Sequence, residues 1–315
     1  MSLDRIRLAS LHDKVISAEQ AAAFIKDGMT VGMSGFTRAG EAKAVPLALV
    51  KQAQANPLKI TLITGASLGN DLDKQLTEAG VLARRMPFQV DNTLRKAINN
   101  GEVMFIDQHL SETVEQMRNL QLKKPDVAVI EAVAITEDGG IIPTTSVGNS
   151  ASFAIFAKEV IVEINTNLSP AFEGLHDIYI PSYRPTRQPI PLTKVDERIG
   201  TAAINIDPAK IVGIVFNSEL HDSPSTVTEP DDETQGIANH LIAFFEKEVA
   251  EGRLPKDLGP LQAGIGSIAN AVLTGLKDSN FEDLVMYSEV LQDCTFELID
   301  AGKMKFASGC SMTLS

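Results

Sequence analysis

Between residues 30 and 164 short apolar and β-branched runs alternate with helical patterns, and this alternation restricts the chain to layers of helices on a largely parallel sheet. Ser17 and Gln20 form a capping box ahead of an alanine-rich helix that stops at Gly28, and residues 30–34 then read as a strand. Residues 45–55 and 111–121 read as helices, and 59–64 and 102–107 as strands. The runs 127–135 and 159–164 are apolar almost throughout, the pattern of strands buried on both faces.

At 315 residues the chain exceeds the usual single-core size, so two domains are expected. The stretch 179–191 is punctuated by proline among polar residues and reads as an extended surface segment. A better boundary lies in the acidic stretch 221–233, because a new helix begins after it near Gly236 and runs to Ala250. The domains are therefore placed at 1–225 and 226–315. The second falls short of the usual domain mode of roughly 100–150 residues, and a continuation beyond Ser315 is expected.

Composition excludes several function classes. With 28 lysines and arginines against 41 acids the net charge is −13, which repels nucleic acid and anionic membranes at long range. Cys294 and Cys310 are too few for a disulfide framework and lack zinc-site spacing, and the five histidines form no H-E-x-x-H pattern, so no metal is expected. No apolar run approaches the roughly 20 residues of a membrane span, and the start of the chain has no signal-peptide core. A reducing, cytoplasmic location is the default expectation.

The chemistry concentrates near the end. Gly264-Ile265-Gly266-Ser267-Ile268 opens a helical pattern, where backbone N–H groups can meet phosphate or a developing oxyanion. An apolar strand over 284–290 then delivers Glu289 to its carboxyl end, where ligands of open α/β sheets collect. Flanked by Met286, Tyr287, Val290 and Leu291, Glu289 is expected to be partly desolvated and hence a better nucleophile. Two other readings of the glycines stand beside this one. With Ala269 they satisfy the dinucleotide fingerprint, with Glu282, Asp283 or Glu289 as the ribose acid, although the loop 252–260 is no buried strand. Alternatively they serve close helix packing alone. In the first domain the turn Gly32-Met33-Ser34-Gly35-Phe36-Thr37, followed by Arg38 and Lys43, reads as an ordinary strand-to-helix turn or as an anion site at the next helix. Ser146 to Ser150 is another glycine turn, read only as a capping loop.

The run from Gly252-Arg253-Leu254-Pro255 through Gly264-Ile265-Gly266 to Tyr287-Ser288-Glu289-Val290, with the Ser-Gly-Phe-Thr phrase at 34–37, resembles the acetyl-CoA hydrolase/transferase family. The resemblance implies a two-domain CoA-transferase-like α/β fold with parallel-rich sheets, its second domain here incomplete. It implies Glu289 as the nucleophile toward an acyl-CoA thioester, the Ile265 backbone N–H as one oxyanion donor, and Gly264 to Ile268 as CoA contacts. Thr93 would line the carboxylate pocket. It further implies acyl-CoA and a carboxylic acid as substrates, no tightly bound cofactor, and a homodimer. The acyl group would be acetyl, succinyl or propionyl. An acyl-CoA hydrolase is the near alternative, and a non-catalytic acyl-CoA-binding fragment the alternative from another class, because a second oxyanion donor would come from a segment beyond Ser315. One departure stands out: where the transferase branch carries an arginine after the last strand of the first domain, this chain reads Glu219-Leu220-His221-Asp222-Ser223-Pro224.

Overall fold

The computed structural model describes residues 3–225 and 230–315. Residues 226–229, where the sequence places the start of the second domain, lie outside the described residues. The chain divides into two compact units, Met1–Ile190 with Ile199–Ser223, and Pro191–Arg198 with Pro224–Ser315.

The first unit runs α1 (Ala18–Ala22), β1 (Thr30–Met33), α2 (Ala44–Ala55), β2 (Ile60–Ile63), α3 (Leu72–Glu78), β3 (Leu82–Met86), α4 (Asn92–Asn99), β4 (Met104–Phe105), α5 (Leu110–Arg118), β5 (Val127–Ala132), β6 (Ala134–Ile135), β7 (Ile141–Ile142), α6 (Ser150–Phe156), β8 (Glu159–Asn165) and β9 (Ile211–Asn217). Seven of these strands form one parallel sheet in the order β4-β3-β2-β1-β5-β8-β9. Chain order reverses between β1 and β5, which makes that crevice the topological switch point, the place where such sheets hold ligands.

Burial on both faces is written into β5. Val127 and Val129 join one core with Val31, Leu49 and Leu62. Ala128 and Ile130, pointing the other way, join a second core with Phe153, Val162 and Ile214. A Cβ on Gly32 would lie 2.8 Å from the Phe153 ring, so the glycine in β1 lets α6 sit close on the sheet.

Several expectations change at the boundaries. The capping box forms, with the Ser17 side chain accepting from Gln20 N, yet α1 ends at Ala22 rather than near Gly28. The run 127–135 splits at Val133, and its last two residues pair antiparallel with β7. Strand β3 escapes the hydrophobic pattern because Arg84 and Arg85 interrupt it. Arg85 is nonetheless fully buried, held by both carboxylate oxygens of Asp73 at 2.8 and 3.2 Å.

At the opposite, amino end of the sheet, Asp126 accepts from Lys123 Nζ at 2.6 Å, Lys158 Nζ at 2.8 Å and Thr30 N at 3.0 Å. Burial alone would raise its pKa, but these donors reverse that and hold it at about 2. A carboxyl depressed on folding stabilises above its ordinary pKa and loses that contribution as pH falls through the folded value. Both lysines are largely exposed, so the loss is expected to be only about 1 kcal/mol between pH 4 and 2. Asp126→Asn should flatten the acid limb of stability over that interval, measured by urea unfolding at successive pH values. An unchanged limb would dismiss the assignment.

The second unit contains α7 (Asp232–Ala250), β10 (Pro260–Leu261), α8 (Ser267–Lys277), β11 (Leu284–Tyr287), β12 (Val290–Leu291), α9 (Asp293–Asp300), β13 (Met304–Ser308) and β14 (Ser311–Met312). Helix α7 begins before Gly236 because Asp231 caps it, its side chain accepting from Thr234 N at 2.8 Å. Strands β10, β11 and β13 form a parallel sheet over a core of Leu273, Leu276, Leu284, Met286 and Leu298.

Candidate functional site

In the second unit, parallel pairing of Leu261 with Met286 brings the segments that follow β10 and β11 to the same carboxyl edge. Ser288 stitches them together: its Oγ donates to Ala263 O at 3.0 Å and accepts from Ala263 N at 3.3 Å. Gln292 Nε2 adds a hydrogen bond to Gly264 O at 3.1 Å. The glycine turn and the residue before Glu289 are thus physically joined.

Gly266 is the N-cap of α8 with φ +134°, a region that favours glycine, and no side-chain oxygen caps the helix. An added Cβ at Gly264 or Gly266 would meet nothing within 4 Å, so close packing does not account for these glycines. Residues 264 to 268 are all exposed, Ile265 and Ile268 at 56% and 50%, which leaves the turn open to a ligand. The strand before the turn is two residues long, with Pro260 exposed and Leu261 half-buried, unlike the buried strand of a dinucleotide site.

Glu289 departs from expectation. Its side chain is exposed, not partly desolvated. The strand stops at Tyr287, and Glu289 lies in the bend before β12: Met286, Ser288 and Val290 are buried while Tyr287 and Glu289 are exposed, so its apolar neighbours in sequence do not surround it. Its backbone is fixed, with Glu289 O accepting from Cys310 N at 2.8 Å. Thr93 stands half-buried in the first turn of α4, in the other unit.

The first unit holds a charge cluster that the sequence did not reveal. It lies at the carboxyl ends of β1, β5 and β8, around the switch point. Lys43 is fully buried, with Nζ donating to Glu131 Oε1 at 2.6 Å and Glu41 O at 2.7 Å, and pairing with Asp222 Oδ1 at 2.7 Å. Burial opposes its charge, but Glu131, Asp222 and Glu41 outweigh that and raise its pKa above the ordinary lysine value. Burial, reinforced by Asp222 and opposed by Lys43, pushes Glu131 up to about 8. Glu131 also accepts from Thr144 Oγ1 at 2.6 Å and Asn165 Nδ2 at 3.0 Å.

The amino end of α2 is not open to a ligand anion. Glu163 on β8 occupies it, accepting from the backbone N–H groups of Lys43, Ala44 and Val45 at 2.8, 2.9 and 3.0 Å. A carboxyl group does sit at this helix, but the chain supplies it. The turn over Ser146 to Ser150 supplies no side-chain cap to α6; Ser146, with Thr144 and Thr145 before it, instead ties the first unit together. Their hydroxyls were the legible signal, three consecutive hydrogen-bonding residues beside a glycine turn. Among the described residues no group of three or more His, Cys, Asp or Glu could hold a metal ion, and no helix is long and apolar enough to cross a membrane.

Known proteins share this architecture. The acetyl-CoA hydrolase/transferase N-terminal domain matches residues 2–216. A succinyl-CoA:acetate CoA-transferase of Clostridium kluyveri is 45% identical over 99% of this chain and 58% of its own length. An acetyl-CoA hydrolase of Kluyveromyces lactis is 42% identical over 99% of this chain and 61% of its own length. The chain therefore spans about three fifths of these relatives. Among solved structures, RipA from Yersinia pestis superposes with a TM-score of 0.67 at 18% identity, covering 95% of this chain and 65% of that one. A 4-hydroxybutyrate CoA-transferase from Porphyromonas gingivalis gives 0.62 at 18% identity, covering 97% and 64%. At such identity the likeness is one of fold, and it places both units in a CoA-transferase-like architecture. With the domain matched over residues 2–216 and these identities spread along 99% of its length, the chain belongs to the acetyl-CoA hydrolase/transferase family.

Proposed function

We propose that this chain carries the nucleophile and one oxyanion donor of an enzyme that moves CoA between a small acyl-CoA and a carboxylic acid. The observation that carries the reading is the joining of the 264–268 turn to the Glu289 segment through Ser288 and Ala263. The names of the relatives support the substrate class. In this reading a Glu289 oxygen attacks the thioester carbonyl carbon, the C–S bond breaks, and CoA leaves as thiolate. The Ile265 N–H takes the charge that develops on the carbonyl oxygen. The thiolate then attacks the glutamyl carbon of the resulting anhydride, releasing the first acid and leaving a glutamyl-CoA thioester. An acceptor carboxylate reverses these steps and restores Glu289. The thioester bond is conserved, so no cofactor is consumed. Open approach to Glu289 and the hydrolase names support a second reading in which water takes the place of the acceptor.

The test is incubation of the full-length protein with acetyl-CoA, followed by peptide mass analysis. A CoA adduct on the peptide bearing Tyr287 and Glu289, formed only after acyl-CoA is added and removed by hydroxylamine, is expected. Acyl-CoA binding without any adduct would overturn the covalent route and leave a binding protein. Release of free CoA without an acceptor acid marks the hydrolase.

A further inference from the structure

At the amino end of the first unit's sheet, the loops that lead into β5 and β8 border a cleft of about 310 Å³, a size that holds a compact ligand. Leu120, Leu122, Pro125 and Phe156 supply its apolar surface. Leu120 is held there at a cost. Helix α5 closes in a Schellman arrangement, with Gln121 N donating to Gln116 O at 2.8 Å and Leu120 N to Met117 O at 3.2 Å. That closure puts Leu120 in the left-handed region at φ +61°, where glycine is usual and leucine is strained. The same side chain is 74% exposed, more than any other large apolar side chain among the described residues. Backbone strain and a hydrated apolar group therefore coincide at one residue of one cleft.

The charges of the cleft are unbalanced. The ammoniums of Lys123, Lys124 and Lys158 line it with one carboxylate, Asp126, although the chain as a whole carries −13. Lys123 and Lys158 share Asp126 at 2.6 and 2.8 Å, and each keeps further N–H donors. Lys124 is half-buried and pairs with no carboxylate among the described residues. Its Nζ lies 5.0 Å from the centroid of the Phe156 ring, a weaker partner than an anion. Lys210 stands close by, its Nζ donating to Ile155 O at 2.7 Å; burial, opposed by Asp207 and helped by the Lys124 charge, holds it below the usual lysine range. An anion beside Lys124 would relieve this crowding of positive charge.

We propose that this cleft is a binding site for a soluble amphipathic anion with a short alkyl or aryl body and one anionic head. The body would cover Leu120 and lie along Leu122 and Phe156, and the head would meet Lys124 and the remaining donors of Lys123 or Lys158. Lysine presents a compact, mobile point charge, so the site reads the charge of the head more than its geometry, and carboxylate and sulfate should both serve. A membrane surface is the poorer source of such heads, because a net charge of −13 repels an anionic bilayer. The cleft uses none of the residues of the acyl-transfer reading, so either can fail alone.

The probe is octyl sulfate below its micelle concentration, because a sulfate ester cannot act as an acyl acceptor. Calorimetry on the full-length protein is expected to show one saturable site that octanoate displaces, that acetate and octylammonium do not, and that saturating acetyl-CoA leaves occupied. Lys124→Gln should weaken binding by about fivefold or more, and Lys124→Arg should keep it. Leu120→Gly relieves the positive φ, so thermal unfolding should stay at or above the wild-type temperature while octyl sulfate affinity falls by about threefold or more. A purely structural role for Leu120 predicts no such loss. Absence of a saturable site, equal affinity for octylammonium, or unchanged affinity in both Lys124→Gln and Leu120→Gly would overturn the proposal. Retention of the protein on phosphatidylglycerol vesicles without binding of octyl sulfate would overturn it in favour of a membrane surface.

Discussion

Glu289→Gln is expected to abolish CoA transfer in the full-length protein, with turnover down by about three orders of magnitude or more, while acyl-CoA affinity stays within a few-fold. The substitution keeps the shape of a side chain that is exposed in the bend between β11 and β12, so folding should be unaffected. Its backbone anchor, Cys310 N to Glu289 O at 2.8 Å, does not involve the carboxylate. Steady-state turnover and equilibrium binding on the same preparation separate the two effects. Retention of a tenth of wild-type turnover would remove Glu289 from the nucleophile's role, because a lost covalent route leaves no comparable path. Loss of binding in parallel with turnover would point instead to a distorted 264–268 turn.

Lys43→Met should produce the largest change in stability, about 3–5 kcal/mol by urea unfolding above about pH 8, where Glu131 is ionised and the substitution leaves buried carboxylates without their cation. Glu131 and the Lys43 side chain are both fully inaccessible and 2.6 Å apart. Adding Glu131→Gln to Lys43→Met should return part of the loss, since a neutral amide needs no counter-charge and can still accept from Thr144 and Asn165. Additive losses in the two single variants, or a loss under about 1 kcal/mol in Lys43→Met alone, would show that the cluster is not cooperative. Ionisation of Glu131 adds a pH signature. With its folded pKa raised to about 8, its contribution is fully present below the ordinary glutamate range and fades as pH rises toward 8.

What the order of residues determined by itself is whatever depends on neighbours along the chain. The apolar runs around Val31, Leu62, Val129 and Val162 became the parallel sheet, because strand periodicity is local and these side chains must leave water. The capping box at Ser17 was legible for the same reason, being a contact three residues long. So was the glycine turn before α8, whereas the single strand read over 284–290 breaks after Tyr287 and leaves Glu289 in the bend between β11 and β12. The tertiary structure alone decided how charges are matched across distance. Glu163 meets the start of α2 from 118 to 120 residues away, and Glu131 meets Lys43 from 88. No window of sequence contains such pairs. Arg85 hid a strand for a related reason: a charged residue reads as solvated until a partner such as Asp73 is brought to it. The exposure of Glu289 was decided in the same way, because the bend that ends β11 after Tyr287 turns residue 289 to solvent while Met286 and Leu291 join the core.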